Sequence, residues 1–199
     1  MYDAGRGWYS ALAEPVVLDS APVRELEETL RQEFPLVGFS CWSTAEVQAA
    51  MHHLLGTFVS FVMVEADAME PLYSFLQDAG WDAWLNPRGR EAERFAPGER
   101  TVVIRRASSK TPAKESRAPI EQLLVDLYFE VRALRLMSEE NFRLMVANLA
   151  GTRRIRMALL LSYAAGRKVK PADLLGKENT LIPPNQHRRN KSIEGKPND

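Results

Sequence analysis

The chain has 199 residues, of which 45% are hydrophobic, and its 26 basic and 26 acidic side chains give a formal net charge of zero. This length predicts one domain, or one domain with a small appendage, and the apolar content excludes disorder of the whole chain. The sequence shows no signal-peptide pattern and no apolar run near the roughly 18 residues of a membrane helix, and its single cysteine, Cys41, excludes an internal disulfide framework. These features predict a cytoplasmic protein with no membrane partner.

The charge is unevenly distributed along the chain. Residues 1–100 contain 7 basic and 16 acidic side chains, a net charge of −9. Residues 101–150 contain 8 and 6, a net of +2, and residues 151–199 contain 11 and 4, a net of +7. Such asymmetry predicts either a charged partner or the docking of unlike surfaces within the molecule.

The sequence pattern of the first half of the chain predicts alternating strands and helices. Residues 5–10 (GRGWYS) predict the end of a turn that leads into a short strand, and residues 16–18 predict an extension of that strand or a second one. A helix from Val23 to Phe34, capped by Asp19-Ser20, is expected next. Further strands are predicted at 36–42, 58–64, 81–85 and 101–106, with helices at 44–54 and 68–79 and a loop at 86–100. This alternation predicts an α/β fold with a mixed sheet spanning about residues 16–106.

The second half predicts helices only. Apolar residues recur at helical spacing from 120 to 134, and two further helices are expected at 138–149 and 152–166, separated by Gly151. The predicted organisation is therefore an α/β sheet domain (11–118), a helical segment packed on it (119–170) and a disordered tail (180–199).

Three acidic residues follow the strand predicted at 58–64. Glu65, Asp67 and Glu70 lie where open α/β sheets often build sites, and three carboxylates suit a divalent metal. The alternative is that Asp67 and Glu70 stabilise the first turn of the next helix. The acid-x-Lys pair of a common nuclease core is missing from the strands at 82–84 and 104–106.

Other polar residues favour structural roles. His52 and His53 are adjacent and point about 100° apart on a helix, so they cannot chelate one ion together. Cys41 is expected to be a small buried side chain. Asp126 shares a helix face with Gln122 and Glu130, and this face is predicted to be exposed to solvent or to a partner.

The helices predicted at 138–149 and 152–166 have helix-turn-helix proportions. Arg153, Arg154 and Arg156 stand where recognition residues would begin the second helix. Three arginines at a helix N-terminus oppose the macrodipole and require an anion or an acidic neighbour. The pattern therefore indicates DNA readout, an RNA or nucleotide contact, or docking against an acidic protein surface such as the N-terminal half.

Three segments in a fixed order resemble a known family. They are Cys41-Trp42-Ser43-Thr44 continuing to Met51-His52-His53, then Val64-Glu65 followed by Glu70, then Pro119 to Leu127 (PIEQLLVDL). Over about residues 5–170, the set resembles the AbiEi-like family of type IV toxin–antitoxin, or abortive-infection, systems. Residues 1–10 resemble the last wing strand of that family's N-terminal winged helix-turn-helix, whose recognition helices have no counterpart here. Gln122 stands where the family pattern has a basic residue.

The resemblance implies a cytoplasmic bacterial protein that neutralises a nucleotidyltransferase-like toxin encoded beside it, in phage defence, with no cofactor. Its expected partner- or anion-binding residues are basic: Arg105, Arg106, Lys110, Lys114, Arg117, Arg153, Arg154 and Arg156. Two alternatives stay open. One is a metal-dependent nuclease or phosphotransfer enzyme using Glu65, Asp67 and Glu70, and the other is a DNA-binding transcriptional regulator.

Overall fold

The computed structural model describes residues 1–51, 55–108 and 116–175. The predictions that concern His52, His53, Lys110, Lys114 and the tail at 180–199 lie outside these residues. No helix in the described part of the chain combines the length and the apolar character needed to cross a bilayer.

A small hairpin and a four-stranded sheet contain the described strands. The hairpin pairs β1 (Tyr2–Asp3) with β2 (Tyr9–Ser10). The sheet is formed by β3 (Phe39–Ser43), β4 (Ser60–Val64), β5 (Asp82–Leu85) and β6 (Thr101–Arg106), in the order β3-β4-β6-β5. The β3–β4 pair is antiparallel, whereas β4–β6 and β6–β5 are parallel. The predicted mixed α/β sheet is therefore confirmed.

Helices cover both faces of the sheet. In chain order they are α1 (Ala21–Glu33), α2 (Met69–Asp78), α3 (Arg90–Glu93), α4 (Ile120–Leu134), α5 (Glu139–Thr152), α6 (Met157–Gly166) and α7 (Pro171–Leu175), with 3₁₀ turns at Thr44–Ala50 and Ala66–Ala68. Helix α2 joins the parallel strands β4 and β5, because parallel strands need a crossover connection.

Side chains of each strand alternate between two cores, since successive residues point to opposite faces. Val62 and Ile104 pack with α1 and α2, whereas Phe61 and Val103 pack with α4 to α7. Trp42 and Phe61 stack in the second core with ring centroids 4.2 Å apart. The C-terminal helices therefore share one core with the sheet, which makes α4 the central helix of its layer.

Several predicted element boundaries are wrong. The expected helix at 44–54 is a 3₁₀ turn that ends at Ala50, since Met51 is extended with ψ 141°. Residues 16–18 form no strand; instead Val16 N–H donates to Arg154 O at 3.1 Å. The predicted loop at 86–100 contains the short helix α3.

The boundary between α5 and α6 also differs from the prediction. Helix α5 continues through Gly151 to Thr152, because a glycine without a left-handed backbone is tolerated inside a helix. Residues 153–156 then connect the helices, with Arg153 in an extended conformation, and α6 begins only at Met157. Arg153, Arg154 and Arg156 therefore lie before the second helix. They do not form its first turn, where the residues of a recognition helix would lie.

Candidate functional site

Helix α4 carries three buried acidic side chains. Glu121, Asp126 and Glu130 are each 5% exposed or less, and Gln122 is fully buried between them. The prediction that Asp126 faces solvent or a partner is therefore wrong. The sheet covers one side of α4, and other helices cover the rest. Burial of a polar side chain costs free energy unless the side chain is hydrogen-bonded, so each of these residues needs a partner.

Glu130 is paired with Arg105 from the end of β6. Arg105 Nε donates to Glu130 Oε1 at 2.9 Å and Nη2 donates to Oε2 at 2.6 Å, a two-point contact. Arg105 Nη1 also donates to Asn86 Oδ1 at 3.2 Å and to Pro87 O at 2.9 Å. Arg105, which was expected to face a partner, instead joins β6, α4 and the loop after β5.

Asp126 is paired with the C-terminal end of α6. Its Oδ1 accepts from the Tyr163 hydroxyl at 2.9 Å and from Arg167 Nη1. Burial raises the pKa of Asp126 to about 6, against the lowering effect of the Arg167 charge. The Arg167 guanidinium also lies 4.5 Å from the centre of the Phe129 ring.

Glu121 is paired with the segment between α5 and α6. Its Oε1 accepts from the Arg156 backbone N–H at 2.9 Å and from Nε at 3.1 Å, while Oε2 accepts from Nη2 at 2.9 Å. This contact satisfies an acidic side chain that is 2% exposed. Arg156 is thus also a structural partner of α4, although most of its side chain stays accessible.

The other predicted basic residues that the structure describes divide into two groups. Arg117 Nε donates to the buried Glu27 at 2.5 Å, and Arg153 forms an ion pair with Glu14 at 2.8 Å. Arg106 and Arg154, by contrast, make no ion pair with any residue that the structure describes. The charges of Arg106 and Arg154 are therefore available to an external ligand or partner.

An open groove of about 920 Å³ lies where the N-terminal segment meets α4 and α6. Its charged lining residues are Asp3, Arg6, Glu46, Arg117, Glu121, Arg154 and Arg156. The N-terminal segment forms one wall, and the residues that begin α4 form another. We call this cavity the docking groove.

Backbone contacts fix the N-terminal wall of the docking groove. Arg154 N–H donates to Glu14 O at 2.7 Å, and Ala158 N–H donates to Ala4 O at 3.4 Å. Gly5 has a φ of +92°, and a Cβ added there would lie 3.1 Å from the Ala158 Cβ. Glycine at position 5 therefore permits both the turn and the close approach to α6.

Two exposed aromatic side chains lie on the N-terminal hairpin, whose Asp3 lines the docking groove. Tyr2 and Tyr9 are 46% and 60% exposed on the hairpin. The guanidinium of Arg154 lies 5.6 Å from the centre of the Tyr2 ring. Tyrosine and arginine are over-represented among the residues that dominate protein–protein binding energy, so this edge has the composition of a binding surface.

Glu46 lies in the wall of the docking groove and was not predicted as a site residue. It accepts from the Ser43 backbone N–H at 2.7 Å in a capping box, which the spacing Ser43-x-x-Glu46 indicates in the sequence. Burial raises the pKa of Glu46 to about 7, against the lowering effect of that hydrogen bond. Burial therefore favours the neutral form of Glu46 more than that of an exposed glutamate.

The acidic residues after β4 do not form a metal centre in the structure. Glu65, Asp67 and Glu70 are all exposed. Among the described residues, no group of three or more histidine, cysteine or acidic side chains is placed to hold a metal ion. Cys41 is buried as predicted, and its thiol donates to Ser116 O at 3.1 Å. Burial raises the pKa of the Cys41 thiol, which disfavours a nucleophilic thiolate.

Comparison with known protein families identifies a family to which the chain is similar. The model of a family of unknown function, DUF6577, matches residues 2–176. The chain belongs to the DUF6577 family. No curated protein and no solved structure matches it. The DUF6577 match runs from β1 through α7, so the hairpin, the sheet and the C-terminal helices all lie within the family's extent.

Proposed function

We propose that this DUF6577 protein is a cytoplasmic antitoxin-type binding protein that neutralises a nucleotidyltransferase-like toxin encoded beside it, in bacterial phage defence. The proposal starts from the resemblance of three ordered segments to AbiEi-like antitoxins. It adds that the docking groove is the surface that receives the toxin. The groove offers accessible arginines on a fixed framework, and one of them, Arg154, lies against the exposed Tyr2 ring, which suits recognition of another protein.

The observation that carries the proposal is the position of two of those segments. Cys41 N–H donates to Ser116 O at 2.7 Å, Ala118 N–H donates to Cys41 O at 3.0 Å, and Gln122 Nε2 donates to Ser40 Oγ at 3.0 Å. The segments that begin at Cys41 and at Pro119 are therefore direct neighbours. Residues 117–121 continue from this contact as one wall of the docking groove.

The charge of the docking groove favours an acidic partner surface. Arg154 is half-buried against the N-terminal hairpin and makes no ion pair with a described residue, while Arg6 is exposed at the rim. Positive side chains held on a rigid wall steer an acidic protein into contact and favour one orientation. An acidic patch on the toxin is the complementary surface that this groove requires.

Co-expression with the product of the adjacent gene tests the proposal. The wild-type chain should restore growth of cells that express the toxin and should co-purify with it. Arg154→Glu should abolish both effects, because it places a negative charge in the groove without removing an internal ion pair. Failure of the wild-type chain to bind or to relieve toxicity would refute the proposal.

Arg94→Glu is the matched control. Arg94 is exposed and follows α3, beside Phe95, which packs near Leu134 at the C-terminal end of α4. The docking groove lies at the other end of this 15-residue helix, about 20 Å away. The R94E variant should therefore neutralise the toxin as well as the wild type does.

A further inference from the structure

A second cavity lies at the carboxyl edge of the parallel strands. It has a volume of about 370 Å³ and is reached by Met63 of β4, Asn86 after β5, and Arg105 and Arg106 of β6. Because these three strands are parallel, their carboxyl ends meet at one edge of the sheet. Open α/β sheets bind ligands outside this edge. We call this cavity the strand-end pocket.

The strand-end pocket has an excess of positive charge. Its charged lining residues are Arg88, Arg105, Arg106, Arg167 and Glu130. Glu130 is already engaged by Arg105, and Arg167 is engaged by Asp126 behind the pocket. Arg88 and Arg106 are exposed and form no ion pair with a described residue, so two guanidinium groups stay uncompensated.

The wall of the strand-end pocket is held by buried contacts. Arg105, which is 9% exposed, donates to Asn86 Oδ1 and to the Pro87 carbonyl. Asn86 N–H donates to Ile104 O at 2.9 Å, and Asn86 has a left-handed backbone with φ +48°. The loop that carries Arg88 is therefore fixed to β6 before any ligand arrives, which lowers the entropic cost of binding.

We propose that the strand-end pocket binds the phosphate group of a small molecule. Arg88 donates directly to the phosphate oxygens, since guanidinium groups match phosphate geometry with paired N–H donors, and Arg106 adds positive charge at the rim of the pocket. Arg105 and Arg167 form the fixed positive wall, and Met63 and Phe129 provide apolar surface for the rest of the ligand. The volume is near the lower end of small-molecule pockets, which suits a ligand no larger than a mononucleotide.

Calorimetric titration of the full chain with inorganic phosphate and with AMP tests this proposal. Arg88→Glu should weaken binding about tenfold or more, because it loses a charge-assisted contact and adds a repulsive charge, and Arg106→Glu should weaken binding less, because it only reverses a charge at the rim. Arg94→Glu is the control, since Arg94 is exposed nearby but does not line the pocket. It should bind as the wild type does.

The two titrants distinguish the sources of phosphate. Tighter binding of AMP supports a phosphomonoester ligand, and equal binding supports free phosphate. The absence of saturable binding of both compounds would overturn the proposal, as would equal weakening by R94E. The Arg154→Glu variant of the docking groove should retain phosphate binding, so this test fails or succeeds independently of toxin neutralisation.

Discussion

Asp126 has the least exposed side chain of the three acidic residues on α4, and its charged partner, Arg167, directly follows α6. Its side chain is fully buried, and Tyr163 and Arg167 both donate to Oδ1. Burial raises the pKa of Asp126 above its ordinary value of 3.8, to about 6. The folded state therefore holds a proton on this group more tightly than the unfolded chain does. The stabilisation from that proton is complete below pH 3.8 and is lost as the pH rises through about 6.

The difference between the wild type and Asp126→Asn isolates this contribution. Asparagine cannot ionise, so the stability advantage of the wild type over D126N should shrink by about 2 kcal/mol between pH 4 and pH 7. Urea unfolding of both proteins across this range measures the difference. A constant difference, or one that grows with pH, would show that Asp126 does not titrate in this way.

Gly5 fixes the N-terminal wall of the docking groove at the scale of one residue. Gly5→Ala places a Cβ 3.1 Å from the Ala158 Cβ and forces a side chain into a backbone with φ +92°. A left-handed backbone costs about 1–2 kcal/mol for a residue with a Cβ. We expect faster hydrogen exchange over residues 1–10 in the G5A variant, measured by mass spectrometry.

Gly38→Ala provides the control for this substitution. Gly38 is exposed, has no left-handed backbone, and no atom lies within 4 Å of an added Cβ. Exchange over residues 1–10 should be the same in G38A as in the wild type. Equal exchange in G5A and G38A would contradict the assigned role of Gly5.

Among the elements, β6 and α4 are joined by the buried pair of Arg105 and Glu130. Glu130→Ala leaves the Arg105 charge buried without its partner, which should lower the free energy of unfolding by about 3 kcal/mol or more. Glu139→Ala removes an exposed glutamate that contacts Arg132 and Arg143, and should cost at most about 1 kcal/mol. Denaturant unfolding of the two variants measures this contrast. Losses of equal size would show that the Arg105–Glu130 pair does not stabilise the packing of α4 on the sheet.

Patterns within single elements predicted much of this fold. Short apolar runs bounded by turn residues predicted the strands of the sheet, and the stripe from Ile120 to Leu134 predicted α4 with its observed bounds. The same helix was wrongly predicted to expose Asp126. A helical wheel shows which residues share a face of the helix, but it does not show whether other elements cover that face. Arg167, the partner of Asp126, lies 41 residues further on, and no local pattern links the two.

Local sequence patterns also could not predict where the arginines between α5 and α6 lie, because their position depends on tertiary contacts. Gly151 suggested a helix end, yet the backbone continues to Thr152 before it turns extended. The extended segment is then stabilised by pairing with residues 14–16 near the N-terminus. Such long-range pairing cannot be read from a short window of sequence.

At the scale of the whole molecule, internal ion pairs neutralise part of the opposite net charges of the two halves of the chain. Glu14–Arg153 and Glu27–Arg117 each join the acidic first half to the basic second half. The net charge of zero therefore includes contacts between unlike surfaces of one chain. Arg154 and Arg106 are left without an ion pair to a described residue, at the docking groove and at the strand-end pocket respectively.

The affinity of the purified chain for the nucleotidyltransferase-like product of the adjacent gene tests the proposed function most directly. Calorimetry should detect a stable complex that Arg154→Glu weakens at least about tenfold, since the substitution reverses a charge at the interface. Arg94→Glu should leave the affinity unchanged. The absence of a wild-type complex, or equal affinities for wild type and R154E, would contradict the assignment of the docking groove as the toxin-binding surface.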